Sequence, residues 1–79
     1  MQHVKIKVYV SPNCPYCRAA KEYFRKIGLR FKEVDITRNA KEVEKIFRKT
    51  KTMAMPIIEI GNKTVVGFDR RKIEKLLGL

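Results

Sequence analysis

The sequence is short of cysteine, of acidic residues and of long apolar runs. Only two residues separate its two cysteines, Cys14 and Cys17, so they cannot connect distant parts of the 79-residue chain. A fold held by a disulfide framework is therefore excluded. No apolar run approaches the roughly 20 residues that cross a bilayer, and residues 1–7 alternate as in a strand instead of forming the core of a signal peptide. We expect one domain, residues 1–79, in the reducing cytoplasm and without a membrane partner.

Acidic residues are scarce relative to basic ones, eight against 19, which gives a formal net charge of +11. This excess has two interpretations: a solvated surface, or attraction to an acidic partner or nucleic acid. Phe24, Phe31 and Phe47 fall on predicted core positions and leave few aromatic rings for stacking on bases, so we expect no nucleic-acid partner. The high share of charged residues, 34%, and the single glutamine, Gln2, are typical of thermophilic proteins.

The first half of the chain alternates strand and helix patterns. Residues 3–10 alternate in hydrophobicity, with Tyr9 on the side that carries the lysines. Apolar residues then recur at helical spacing from Pro15 until Gly28, which is expected to end the helix in a left-handed conformation. Residues 29–36 predict a second strand, parallel to the first.

A second helix is predicted to begin after Asn39. Asn39 and Glu42 have the spacing of a capping box, in which each side chain bonds the other residue's backbone. Val43, Ile46 and Phe47 then form the apolar stripe that is expected to be buried.

The second half predicts a β-hairpin followed by a final helix. Pro56 precedes the apolar run 57–60, and a Gly-Asn turn leads into the strand 63–66. Asp69 is the predicted N-cap of the last helix, with Phe68 and Ile73 as a hydrophobic staple across it and Gly78 at its end. The order β-α-β-α-β-β-α predicts an α/β domain with a four-stranded mixed sheet and helices packed on it.

The segment Cys14-Pro15-Tyr16-Cys17 carries most of the chemistry that the sequence offers. Cys14 stands where the first helix begins, and unpaired backbone N–H groups and the helix dipole there favour a thiolate over a thiol. Pro15 suits the first helical position, and Cys17 lies one turn along, within reach of a disulfide. A redox motif is indicated. Half of a zinc site, with His3 as a third ligand, and an inert buried pair are the alternatives, although His3 fits a surface strand residue better.

Two further motifs accompany the Cys-Pro-Tyr-Cys quartet: Met55-Pro56 before the hairpin and Gly67-Phe68-Asp69 before the last helix. Together they resemble the glutaredoxins, and especially the short glutaredoxin-like redoxins that include the type reducing ribonucleotide reductase. The resemblance implies a thioredoxin-like, glutaredoxin-type fold and thiol–disulfide exchange. Cys14 would be the attacking thiolate, with a lowered pKa, and Cys17 would resolve the mixed disulfide.

The resemblance also implies a substrate-binding surface beside the cysteines. Pro56 would follow a cis peptide bond, which leaves the Met55 backbone free to pair with a substrate strand. The substrate-binding residues expected on this basis are Tyr16, Met55, Pro56, Gly67, Phe68, Asp69, Arg70 and Arg71. Protein disulfides would be the clients, the protein would act as a monomer, and no cofactor would be tightly bound.

Two reductants compete in this resemblance. Glutathione, as a co-substrate, recycles most glutaredoxins, but here Ser11 stands near the position of their lysine and Ala54-Met55 replaces Thr-Val, whereas Gly67 and Asp69 are kept. Thioredoxin reductase recycles the ribonucleotide-reductase type, which resembles this chain at Gly67-Phe68. That type usually has a different pair between its cysteines and a basic residue where Asp69 stands.

Arg70-Arg71-Lys72 places three cations in the first turn of the last helix, where they oppose the helix dipole. Such a conflict is more readily tolerated where function gains from it. Arg70 and Arg71, with Arg18 and Lys21, are therefore predicted to attract an anionic substrate, the alternative being plain surface charge.

An iron–sulfur cluster carrier is a further alternative function. The Pro15-Tyr16 pair argues against it, because cluster-bearing relatives usually have smaller residues there.

Overall fold

A computed structural model describes residues 4–79 and confirms the predicted order of strands and helices. The elements are β1 (Ile6–Val10), α1 (Pro15–Lys26), β2 (Lys32–Asp35), α2 (Ala40–Thr50), β3 (Ile57–Ile60), β4 (Lys63–Val66) and α3 (Arg70–Leu77). No helix within residues 4–79 is long and apolar enough to span a membrane.

The four strands form one mixed sheet in the order β2-β1-β3-β4. β1 and β2 are parallel, as predicted, and β3 and β4 form the predicted hairpin. β1 also pairs antiparallel with β3, with Tyr9 opposite Ile57 and Val8 opposite Ile58. This pairing puts β1 in the centre of the sheet, so the loop after it, which leads to Cys14, lies next to the start of β3 and Pro56.

The larger core lies between the sheet and the helices α1 and α3. Its buried residues are Ile6, Val8, Val10, Cys17, Ala20, Tyr23, Phe24, Ile58, Ile60, Val65, Ile73 and Leu77. Alternate residues of β1 and β3 point to this side, which is the period-2 pattern that the sequence shows. The core therefore reaches the second cysteine and fixes the start of α1 against the sheet.

The smaller core lies on the opposite face, under α2, and contains Tyr9, Val34, Ile46 and Ile57. Tyr9 is only 2% exposed, because α2 covers the face that the sequence pattern assigned to β1's lysines. The predicted apolar stripe of α2 is confirmed at Ile46, which is buried, but Val43 is only half-buried and the prediction is wrong at Phe47, which is 44% exposed. The apolar patch beneath α2 is small, so one side chain is enough to cover it.

Helix and strand ends differ from the predictions in three places. β1 begins at Ile6 and β2 spans only Lys32–Asp35, both shorter than predicted, and His3 lies outside the described residues. Asn39 precedes α2 but makes no side-chain cap; its amide instead donates to the Asp35 carbonyl at 2.9 Å. The capping box is therefore absent, since Glu42 is engaged by Lys7.

The ends of α1 and α3 agree with the predictions. Gly28, just after α1, and Gly78, after α3, both have the left-handed conformation, with φ of 77° and 76°. Asp69 caps α3, because its carboxylate accepts a hydrogen bond from the Lys72 backbone N–H at 3.2 Å.

Candidate redox site

Cys14 and Cys17 form a disulfide across the first turn of α1, with their Cα atoms 5.2 Å apart. Cys14 is the N-cap of α1 and Pro15 the first helical residue, as predicted. The Sγ atom of Cys14 accepts a hydrogen bond from the Cys17 backbone N–H at 3.2 Å. The helix N-terminus thus directs a donor at this sulfur, which stabilises negative charge on it once the disulfide is reduced.

The two sulfurs differ in access. Cys17 is 3% exposed and belongs to the larger core, whereas Cys14 is half-buried at its edge. Asn13, immediately before Cys14, has a left-handed φ of 57°, a conformation that asparagine adopts more readily than most residues. Because Cys14 is the more exposed of the two cysteines, an incoming group can reach its sulfur before that of Cys17.

The segment before β3 faces the disulfide. The Met55-Pro56 peptide bond is cis, as the resemblance implied. The Met55 carbonyl oxygen lies 3.8 Å from the Sγ atom of Cys14. Pro56 is buried, and its carbonyl oxygen accepts a hydrogen bond from the Gly67 N–H at 2.7 Å. This bond brings the loop between β4 and α3 beside the cysteines.

A groove of about 580 Å³ opens between these segments. It is lined by Tyr16, Met55, Pro56, Val66, Gly67, Phe68, Asp69, Arg70 and Arg71. All eight residues that were expected to bind substrate therefore lie along one surface. Val66 was missed by the sequence reasoning. The signal for it is the pair Val65-Val66, since consecutive strand residues face opposite sides and the outward one, Val66, is 44% exposed.

Arg70 and Arg71 have different environments in this groove. The Arg70 Nε atom donates to Glu74 at 3.1 Å, and its guanidinium lies 5.1 Å from the centre of the Tyr23 ring. The hydroxyl of Tyr23 donates to the same carboxylate at 3.1 Å; burial, followed by this hydrogen bond, raises the pKa of Tyr23. Arg71 makes no salt bridge within residues 4–79. Its charge is the more available of the two.

A second groove, also of about 580 Å³, is lined by Cys14 and Cys17 themselves. Arg18 and Lys21 lie here, together with Ser11, Glu33 and Asp35. Lys21 is paired with Glu33 at 3.0 Å. The four cations predicted to attract an anionic substrate are thus divided between two grooves, because α3 presents its arginines to the first groove and α1 presents Arg18 and Lys21 to the second.

Asp35, the second acidic residue of this groove, is hydrogen-bonded to a neighbouring residue of the chain. The Asp35 carboxylate accepts hydrogen bonds from the Thr37 hydroxyl at 2.6 Å and the Thr37 N–H at 2.9 Å. These bonds lower the pKa of Asp35. Within residues 4–79 no three histidine, cysteine or acidic side chains group as metal ligands would, and His3 lies outside that range.

Comparisons with known proteins agree with this geometry. Residues 6–65 match the family model described as Glutaredoxin. A relative from Clostridium pasteurianum is described as an uncharacterized glutaredoxin-like 8.6 kDa protein in the rubredoxin operon. It is 35% identical over an alignment that covers 91% of this chain and 96% of the relative. Glutaredoxin 3 of Escherichia coli is 30% identical and covers 81% of this chain and 77% of its own.

The structure of the glutaredoxin-like protein NrdH-redoxin from Escherichia coli superposes with a TM-score of 0.78 at 24% identity, covering 91% of this chain and 93% of that one. This similarity confirms the predicted thioredoxin-like fold. The family model matches most of the chain, and the matched part contains both cysteines and Pro56. The chain belongs to the glutaredoxin family.

Proposed function

We propose that this protein is a thiol–disulfide oxidoreductase that reduces disulfides of client proteins through Cys14 and Cys17. The observation that carries the proposal is the position of the Cys14 sulfur, which is half-buried, caps α1 and accepts the Cys17 N–H at 3.2 Å. A thiolate there is stabilised by the helix terminus and is the form of cysteine that attacks a disulfide.

The reaction transfers two electrons from the reduced protein to the client. The Cys14 thiolate attacks one client sulfur, a mixed disulfide forms, and the other client sulfur leaves as a thiolate that takes up a proton. The Cys17 thiol then loses its proton and attacks the Cys14 sulfur. The Cys14–Cys17 disulfide closes, and the second client sulfur leaves as a thiol. Because the two cysteines are one helical turn apart, this step needs little backbone movement.

The groove beside Cys14 suits an extended segment of the client. Tyr16, Val66 and Phe68 supply apolar surface, and the Met55 carbonyl is close to the attacking sulfur. Peptide backbone and apolar side chains next to a client disulfide could be held here in register with Cys14. Ribonucleotide reductase is one client that this assignment includes. We propose that the protein works as a monomer in the cytoplasm, where thiol pools favour the reduced form.

An external reductant must return the two electrons, and two are in competition. Two glutathione molecules could reopen the disulfide, with Arg71 and Asp69 in the groove offering charges of both signs to this zwitterionic peptide. Thioredoxin reductase could do so by direct dithiol exchange. A coupled assay with NADPH, glutathione and glutathione reductase in one cuvette, and thioredoxin reductase in the other, distinguishes the two.

The cysteine roles are tested by two variants. Cys14→Ser is expected to lower disulfide reduction by at least about 10³-fold with either reductant, because the attacking sulfur is lost. Cys17→Ser should instead accumulate a mixed disulfide with the client, visible by mass spectrometry of the intact complex. Full activity of Cys14→Ser, or alkylation of reduced Cys14 no faster at neutral pH than that of free cysteine, would contradict the proposal.

A further inference from the structure

The exposed side of α3 forms a basic hollow beside the first groove described above, the one lined by Tyr16, Met55 and Phe68, which we call the redox groove. This hollow has a volume of about 530 Å³ and is lined by Asp69, Arg71, Lys72, Lys75 and Leu76. Three of these five residues are cations. The half-buried Leu76 adds apolar surface among them. We call these five residues the α3 hollow.

The α3 hollow is continuous with the redox groove. Asp69 and Arg71 line both of them. At its other end the redox groove reaches Met55, whose carbonyl oxygen lies 3.8 Å from the Cys14 sulfur. A chain that passes Cys14 can therefore continue over the start of α3 without leaving a concave surface.

The cations of the α3 hollow have no acidic partners in the described part of the chain. Arg71, Lys72 and Lys75 make no salt bridge within residues 4–79. Asp69 is occupied as the N-cap, and Glu74, the one acidic residue within α3, is bound by Arg70 and Tyr23. The first turn of α3 contains no acidic residue, so Arg71 and Lys72 oppose the helix dipole. An external anion would relieve this conflict.

We propose that the α3 hollow docks an acidic segment that flanks the disulfide of a client protein, an inference that rests on the proposed function. Carboxylates of the segment would neutralise Arg71, Lys72 and Lys75, and an apolar side chain among them would contact Leu76. Complementary charge of this kind raises the rate of encounter and selects the partner more than it adds affinity. The client class is thus an extended peptide with Asp or Glu beside its disulfide.

Single-turnover reduction tests this proposal without an added reductant. Fully reduced protein, freed of dithiothreitol, is mixed with a synthetic peptide that contains one intramolecular disulfide flanked on both sides by glutamates, or by glutamines. The second-order rate constants are measured at low and at high salt. The test variant is Lys72→Gln/Lys75→Gln. Its matched control is Lys41→Gln/Lys45→Gln, which removes the same charge from a basic hollow on α2 lined by Lys41, Glu44, Lys45 and Arg48.

We expect the unaltered protein to reduce the glutamate peptide about tenfold faster than the glutamine peptide at low salt, and the preference to disappear at high salt. The α3 variant should keep less than a third of that preference, and the α2 control should keep nearly all of it. Equal rates for both peptides, or equal losses in the two variants, would overturn the docking proposal. Binding of a thymidine oligonucleotide that depends on Lys72 and Lys75, without a peptide preference, would overturn it in favour of nucleic acid. Reduction of neither peptide would instead contradict the proposed function.

Discussion

The two faces of the sheet use charge in different ways. On the α2 face, Tyr9 donates towards Glu42 and Glu59, at 3.3 and 3.2 Å, and each carboxylate also pairs with a lysine. On the α1 and α3 face, Arg71 and Lys72 at the start of α3 line open grooves and make no salt bridge within residues 4–79. The charges around Tyr9 are thus paired within the fold, whereas those of Arg71 and Lys72 stay available near the cysteines.

This difference accompanies a difference in packing. The core under α1 and α3 is large and includes Cys17, whereas the core under α2 has a single buried residue from the helix, Ile46. A rigid sheet and α1 hold the redox disulfide in place, and α2 contributes mainly a polar network. The face with the weaker core is thus the one that depends more on hydrogen bonds and ion pairs.

The largest effect is expected from truncating the two cores. Ile73→Ala should lower the free energy of unfolding by about 4 kcal/mol and Ile46→Ala by about 2 kcal/mol, because the small core under α2 is next to solvent and can relax around the gap. Urea unfolding of both variants measures the difference. Equal losses would mean that α2 is packed as tightly as α3.

Alkaline pH should destabilise both faces through their buried tyrosines. Burial, followed by the charges of Glu59 and Glu42, raises the pKa of Tyr9, and burial with the Glu74 hydrogen bond raises that of Tyr23. A raised pKa in the fold contributes stability that is complete below the ordinary value of 10.0 and is lost as the pH rises above it. Each group can contribute at most about 1.4 kcal/mol per pH unit.

Urea unfolding at pH 9 and pH 11 tests this dependence. Tyr9→Phe and Tyr23→Phe should each lose less stability between the two pH values than the unaltered protein, and Tyr9→Phe should reduce the loss more. The contribution of every other group is common to all three proteins, so the difference between them isolates the two phenols. Identical losses would show that neither phenol is protected from ionisation in the fold.

At neutral pH the same two substitutions separate the networks. Tyr9→Phe should cost about 1 kcal/mol, because Glu42 and Glu59 lose the hydroxyl donor that they share. Tyr23→Phe should cost about half as much, because the Tyr23 hydroxyl contacts one carboxylate instead of two and Tyr23 is slightly more exposed, 8% against 2% for Tyr9. Thermal unfolding at pH 7 measures both, and a larger cost for Tyr23→Phe would reverse the comparison between the faces.

The smallest effect concerns the first turns of α2 and α3. Lys72→Glu and Lys41→Glu should each stabilise the protein by about 0.5 kcal/mol, since an acidic residue there complements the helix dipole. Only Lys72→Glu should slow reduction of an acid-flanked peptide. A loss of stability in Lys72→Glu would indicate that the lysine supports α3 itself.

Local signals account for the parts of the fold that were predicted correctly. The N-caps at Cys14 and Asp69, the left-handed Gly28 and Gly78, and the hairpin turn each depend on a few neighbouring residues. Periodicity likewise located the strands and helices, although not all their ends. The Asn39 capping box failed because Glu42 is drawn to Lys7, a residue on another element.

The sequence by itself determined the order of the elements and the reactive pair at the start of α1, because caps, turns and motif spacing act over one or two turns of chain. Its resemblance to the glutaredoxins implied the groove residues except Val66. Only the tertiary structure decided that Tyr9 is buried, that Arg70 is committed to Glu74 and Tyr23, and that Met55 faces Cys14. Two of these contacts, Tyr9 with Glu59 and Cys14 with Met55, join residues 50 and 41 positions apart. The antiparallel pairing of β1 with β3 creates them, and no local pattern specifies that these two strands, which are far apart in the sequence, lie side by side.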